Sequence, residues 1–168
     1  SSDVVQPVRV WDLPTRLFHA LLMVCLVGLV VTGEAGGAAM QLHFYFGYSV
    51  LSLLLFRLVW GVIGGRWSRF TSFVPTPHRV MRYLHDLRTG RHMPSIGHNP
   101  MGALSVIAML GLLLVQVFTG FISDDEIAAS GPWTPFVSGD WIALATEYHS
   151  EIGKTLILAL IVLHVVSI

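Results

Sequence analysis

Charged side chains are scarce in this 168-residue chain: 12% of positions are Asp, Glu, Lys or Arg, about half the share usual in a soluble domain. Net charge is zero, and nothing forms a basic patch on a soluble surface, which argues against nucleic acid as a partner. Cysteine is almost absent. Cys25 stands alone inside an apolar run, so it makes no internal disulfide and is expected to pack as a small apolar residue. The first apolar run is not expected to be a cleavable signal either, because it is too long for a signal h-region and is followed by more of its kind. No internal repeat or low-complexity tract stands out.

What the chain has is hydrophobicity, at 54% of residues and a mean hydropathy of +0.68. It gathers into four helix-length segments, at 17–33, 42–63, 100–122 and 145–168, the second interrupted only by Arg57. Each is long enough to cross a bilayer as a helix, which satisfies its own backbone polar groups where no water is present. The expected fold is all-α: an integral membrane four-helix bundle running up-down-up-down. Basic residues sort the two sides. The connection 64–99 carries Arg66, Arg69, Arg79, Arg82, Arg88 and Arg91 against one acid, Asp86, and Arg9 and Arg16 precede the first segment. The connection 123–144 carries Asp124, Asp125, Glu126 and Asp140 and no base. Positive-inside bias then puts both termini and the arginine-rich connection in the cytoplasm, and the acidic one in the periplasm. Within the basic connection, His78 to Leu87 has apolar residues at helical spacing, as in a basic amphipathic helix lying on headgroups. Asn99-Pro100 reads as an N-cap opening the third segment.

Four of the eight histidines fall at membrane depth: His19, His43, His149 and His164. His149 and His164 lie fifteen residues apart, roughly 22 Å along a helix and within about 60° of one face. Topology pairs His43 with His149 at one level and His19 with His164 at the other. Two imidazoles on facing helices at each of two levels is what haem b requires, since a six-coordinate iron takes one nitrogen from each side of the ring. Gly47 and Gly153 each follow an acidic-end histidine by four residues, one turn along the same face, and are expected to leave room for the porphyrin. Arg57 faces the same direction as His43 but about 21 Å deeper. It is either a propionate counter-ion or a side chain snorkelling to the headgroups. Lys154 is expected to snorkel. His78, His85, His92 and His98 read as solvated residues, with a quinone contact or proton relay as their functional alternative. The run Asp124-Asp125-Glu126 reads as a solvated turn or as a docking patch for a cationic redox protein.

These residues carry a resemblance. Trp11-Asp12-Leu13-Pro14-Thr15-Arg16-Leu17-Phe18-His19, Phe56-Arg57-Leu58-Val59-Trp60-Gly61 and Gly97-His98-Asn99-Pro100-Met101-Gly102-Ala103 resemble the bacterial cytochrome b561 family, as do Thr119-Gly120-Phe121 and Leu163-His164. That family includes the b-type subunit of nickel–iron hydrogenases. The resemblance implies two b haems on His19, His43, His149 and His164, an inner-membrane location, and electron exchange with a quinone and a redox partner. It also implies a basic tail beyond the last ligand. The expected function is a transmembrane electron relay between a membrane quinone and a periplasmic protein such as a cytochrome c or a hydrogenase, within membrane lipid and as part of a homo-oligomer or larger complex. The alternatives are a stand-alone quinone oxidoreductase acting on a small species such as superoxide, a metal or proton path, and a passive membrane anchor.

Overall fold

A computed structural model describes residues 12–90, 100–127 and 129–166, apart from the side chain of Leu87. Arg9, Trp11, Arg91, His92, His98, the Asn99 cap and the last two residues of the expected fourth segment lie outside the described residues.

Asp12 starts the first span. Its carboxylate accepts from the Thr15 backbone N–H at 2.9 Å, Pro14 sits in the first turn where its missing N–H costs nothing, and the helix runs Leu13–Ala35. It stops where Gly36 and Gly37 take φ of +60° and +52°, a left-handed conformation that side chains resist. One tight turn later the chain returns as the second span, Gly37–Ile63. A short helix, Phe70–Phe73, then folds back against it, and the amphipathic segment forms a surface helix, Pro77–Arg88, with Arg79, Arg82 and Arg88 exposed. The third span is Pro100–Phe121 and the fourth Gly139–Val166. All four are long and apolar enough to cross a membrane, and large side chains such as Val24, Val31, Leu55, Val59 and Leu163 point outward, as helices solvated by lipid require.

Packing follows chain order. Span one lies on span two, span two on span three, and span three on span four. The core holds Phe18, Leu22 and Cys25 from span one, Val50 and Leu54 from span two, and Leu110, Leu113, Val117 and Phe121 from span three. From span four that cluster takes Ile157. The fourth helix packs mainly on span three, and its facing histidines meet spans one and two across a seam where it adds little to the buried cluster. The helix is also not uniform: Tyr148–Gly153 forms a π turn between the α-helical stretches Gly139–Glu147 and Lys154–Val166.

Candidate functional site

Span four meets two different partners. Near its start, His149 faces His43 of span two, with ring centroids 6.2 Å apart and planes at 80°. Near its end, His164 faces His19 of span one at 6.3 Å and 49°. Two imidazoles bound to one metal through nitrogen bonds of about 2.0 Å would hold their ring centres about 6.3 Å apart. Both pairs meet that separation. Among the described residues no group of three or more His, Cys, Asp or Glu side chains is placed to hold a metal ion. Each pair offers two nitrogens, which suits an iron whose other four bonds come from a porphyrin.

The acidic-end pair is held in matching ways. His43 Nδ1 lies 3.0 Å from the Leu29 carbonyl oxygen, and His149 Nδ1 lies 2.8 Å from that of Gln116. A carbonyl can only accept, so each Nδ1 carries the proton and donates, which leaves the Nε2 lone pair free for a metal. Fixing tautomer and ring angle through the second nitrogen is what a metal-binding histidine needs. A threonine hydroxyl also approaches each ring, Thr32 Oγ1 at 3.3 Å from His43 Nδ1 and Thr119 Oγ1 at 3.4 Å from His149 Nδ1. Both threonines donate to their own helix backbone, to Gly28 and Val115 respectively, so an oxygen lone pair remains for the ring N–H. The two halves thus repeat a unit, Leu29-Val30-Val31-Thr32-Gly33 and Gln116-Val117-Phe118-Thr119-Gly120. The unit does not stand out as an internal repeat in the sequence, because a Thr-Gly pair is too short a signal without the histidine it serves.

Glycines complete the seats. A Cβ on Gly33 would come 3.3 Å from His43 Cε1, and one on Gly120 would come 2.7 Å from His149 Cε1. The sequence assigned neither a role at the site, although Gly120 lies in the Thr119-Gly120-Phe121 match, since the rings they admit come from other helices. Of the two glycines it did single out, Gly47 opens onto free space one turn past His43, with nothing within 4 Å of a would-be Cβ. Gly153 differs. Its open side is taken by the Gln116 carboxamide and the Tyr148 ring, so there the room serves protein packing.

The π turn alters the register of span four. It absorbs one extra residue, so the fifteen positions from His149 to His164 sweep about the angle of fourteen and end roughly 40° to the other side of the face. Both histidines still point across the seam.

Arg57 is 5% exposed, and its Nη1 has no hydrogen-bond partner among the described residues. Its guanidinium lies over the Phe70 ring at 4.7 Å and near Phe73 at 5.8 Å, with Phe70 fitted against the bare face of Gly61. A snorkelling arginine would be exposed at its tip. This one is enclosed with a donor to spare, which fits an anionic oxygen such as a propionate. Close by in the chain fold, Asp12 draws the same end together. Its carboxylate accepts from Trp60 Nε1 at 2.9 Å and from Ser68 Oγ at 2.8 Å, and Ser68 Oγ lies 3.0 Å from Thr15 Oγ1. Burial alone would raise the Asp12 carboxyl, but the donors from Thr15, Ser68 and Trp60 outweigh it and bring its pKa from 3.8 to about 2.

The remaining candidates have plainer roles. Lys154 does not reach for headgroups; its Nζ pairs with Glu34 Oε1 at 2.9 Å, tying span four to span one in a partly exposed position. The acidic run is a folded turn: Asp124 Oδ1 accepts from the Glu126 N–H and Asp125 Oδ1 from the N–H groups of Ile127 and Ala129. The Tyr48 ring lies tilted against Phe121 at 5.8 Å, and Phe121 in turn meets Trp133, which stacks on Phe118. His78 and His85 lie exposed on the surface helix.

Comparison with known proteins points the same way as the histidines. The family model described as prokaryotic cytochrome b561 matches residues 10–168. A relative from Escherichia coli (strain K12), the "Probable Ni/Fe-hydrogenase 1 B-type cytochrome subunit", is 31% identical over 165 residues, covering 80% of this chain and 68% of the relative. The "Probable Ni/Fe-hydrogenase B-type cytochrome subunit" of Azotobacter chroococcum mcd 1 is 26% identical, covering 94% of this chain and 78% of its own. A relative of the same name from Cupriavidus necator is 25% identical, covering 98% and 80%. No solved structure matches the chain.

Proposed function

Because the chain belongs to the prokaryotic cytochrome b561 family, and so is a b-type cytochrome of the bacterial inner membrane engaged in electron transfer, we propose that it binds two haems b and relays single electrons between a membrane quinone and a redox protein. His43 and His149 would hold the haem at the acidic end, and His19 and His164 the haem at the arginine-rich end. The observation that carries this reading is the pair of ring separations, 6.2 and 6.3 Å, both matched to two imidazoles on one metal.

Haem b, when bound, supplies a one-electron iron couple. The protein's own residues supply position and electrostatics. The Leu29 and Gln116 carbonyls hold the Nδ1 protons of His43 and His149, so each ligand presents Nε2 without reorganising when charge changes. Arg57, whose buried Nη1 has no partner among the described residues, would hold an anionic group such as a propionate at the arginine-rich end. Gly47, with nothing within 4 Å of a would-be Cβ, would leave room for a flat ring one turn past His43. The buried cluster that includes Leu22, Val50, Leu54 and Leu113 keeps water from the bundle interior.

The arginine-rich connection faces the cytoplasm in this reading, on the strength of its charge, and the quinone binds on that side. The periplasmic partner is a nickel–iron hydrogenase or a cytochrome c; the names of the relatives favour the first. Purified protein should show two low-spin haem signals in oxidised and reduced spectra. His43→Ala and His149→Ala should each remove the same one and leave the other. Retention of both signals in either variant would overturn the acidic-end assignment. Turnover of quinone with a small oxidant or reductant, with no second protein present, would favour a stand-alone oxidoreductase instead.

A further inference from the structure

Gln116 is an expensive residue to keep where it is. Its carboxamide lies inside the bundle, and its Oε1 is buried without a hydrogen-bond partner among the described residues, a condition that an apolar side chain would avoid. The equivalent position in the first half of the repeat is Leu29, which serves His43 with its backbone carbonyl and nothing more. Gln116 serves His149 twice. Its carbonyl accepts from His149 Nδ1 at 2.8 Å, and its side-chain Nε2 donates to the His149 carbonyl at 2.7 Å. The two residues close a ring of hydrogen bonds, ligand side chain to backbone and back again.

The ring sits on the irregular stretch of span four. The π turn begins at Tyr148 and ends at Gly153, a departure from the regular α ladder that is rare and mostly a single turn long. Gln116 Nε2 donates to the His149 carbonyl within that turn. The carboxamide reaches that carbonyl because Gly153 has no side chain; a Cβ there would collide with Oε1. Span two holds His43 in an unbroken α-helix, Met40–Ile63, and shows no such device.

Resting on the two-haem reading, we propose that Gln116 is the positioning residue of the acidic-end haem: it stabilises the π turn that aims His149 across the seam, and Gly153 is the space it needs. The two axial ligands of that haem are therefore held unequally. His149 is clamped through both its ring and its backbone, and His43 through its ring alone.

Gln116→Leu, which copies Leu29 into the second half, tests this. The expected result is a change confined to one haem: its low-spin g values and midpoint potential move, the other haem keeps its own, and amide hydrogen exchange quickens in residues 148–153. Unchanged g values, potential and exchange overturn the proposal. Gly153→Ala should reproduce the Gln116→Leu spectrum, and the double variant should be no worse than either single one. If Gly153→Ala instead expels the haem in both backgrounds, the glycine makes room for porphyrin and the proposal fails. Should Gln116→Leu not accumulate, Gln116→Asn, one methylene short of the His149 carbonyl, must give the same one-haem shift. The two-haem reading is judged separately, by the wild-type spectrum and His43→Ala, which do not involve Gln116.

Discussion

Gly120 shows how little tolerance a single position can have. A methyl there would sit 2.7 Å from His149 Cε1, whereas at Gly33 it would sit 3.3 Å from His43 Cε1. The first distance forces the ring to move and the second only crowds it, and overpacking of the first kind costs about 1–3 kcal/mol. Gly120→Ala is therefore expected to broaden or abolish the acidic-end low-spin signal, while Gly33→Ala leaves it nearly intact; electron paramagnetic resonance of the two variants decides. Arg57 is the other residue with a sharp expectation. Loss of a charge-assisted hydrogen bond costs about 1.5–3 kcal/mol, so Arg57→Met should weaken haem retention at the arginine-rich end by about 10- to 100-fold and lower that haem's midpoint potential. Haem-to-protein ratio and a redox titration measure both. The histidines and Arg57 were visible in the sequence because a polar side chain at membrane depth is costly and stands out. Gly33, Gly120 and Gln116 were not, because each is explained by an atom on a different helix.

At the scale of the helix, Asp12 does more than cap. Its carboxylate holds the start of span one to Trp60 at the end of span two and to Ser68 beyond it. An N-cap replacement alone costs about 1 kcal/mol, and Asp12→Ala also takes the acceptor away from Trp60 Nε1 and Ser68 Oγ, so its cost should exceed that of a simple cap. The carboxyl titrates at about 2 in the folded protein against 3.8 ordinarily. Because folding lowers it, its stabilisation is complete above about pH 4 and is lost as pH falls toward 2. Thermal unfolding in detergent should show that decline over this window, and Asp12→Ala should flatten it. The four spans were legible from apolar length, but the first begins at Leu13 rather than at 17, because Asp12 caps it ahead of the uncharged run. The start of span four at Gly139 was not, since Asp140 and Glu147 dilute the apolar signal in its first turns. Nor was the π turn, whose support comes from span three.

At the scale of the molecule, the bundle is built from closely packed neighbours and one loose seam. Spans one, two and three supply nearly all the buried cluster, and Ile157 is the contribution of span four to it. A prosthetic group bound between the facing histidines would fill that seam, so haem-depleted protein should lose protection there first. Hydrogen exchange is expected to rise most in Lys154–Val166 and least in the Val50–Leu54 region; a uniform rise would count against the seam.

Sequence alone determined that this chain lies in a membrane as four helices and that its histidines fall in two level pairs, because apolar length and helical rise are local quantities. Tertiary structure alone decided which atoms hold those histidines: the carbonyls of Leu29 and Gln116, the bare faces of Gly33 and Gly120, and the carboxamide seated on Gly153. Those contacts join residues from 10 to more than 30 positions apart, and no periodicity along one helix encodes what the next helix will bring against it.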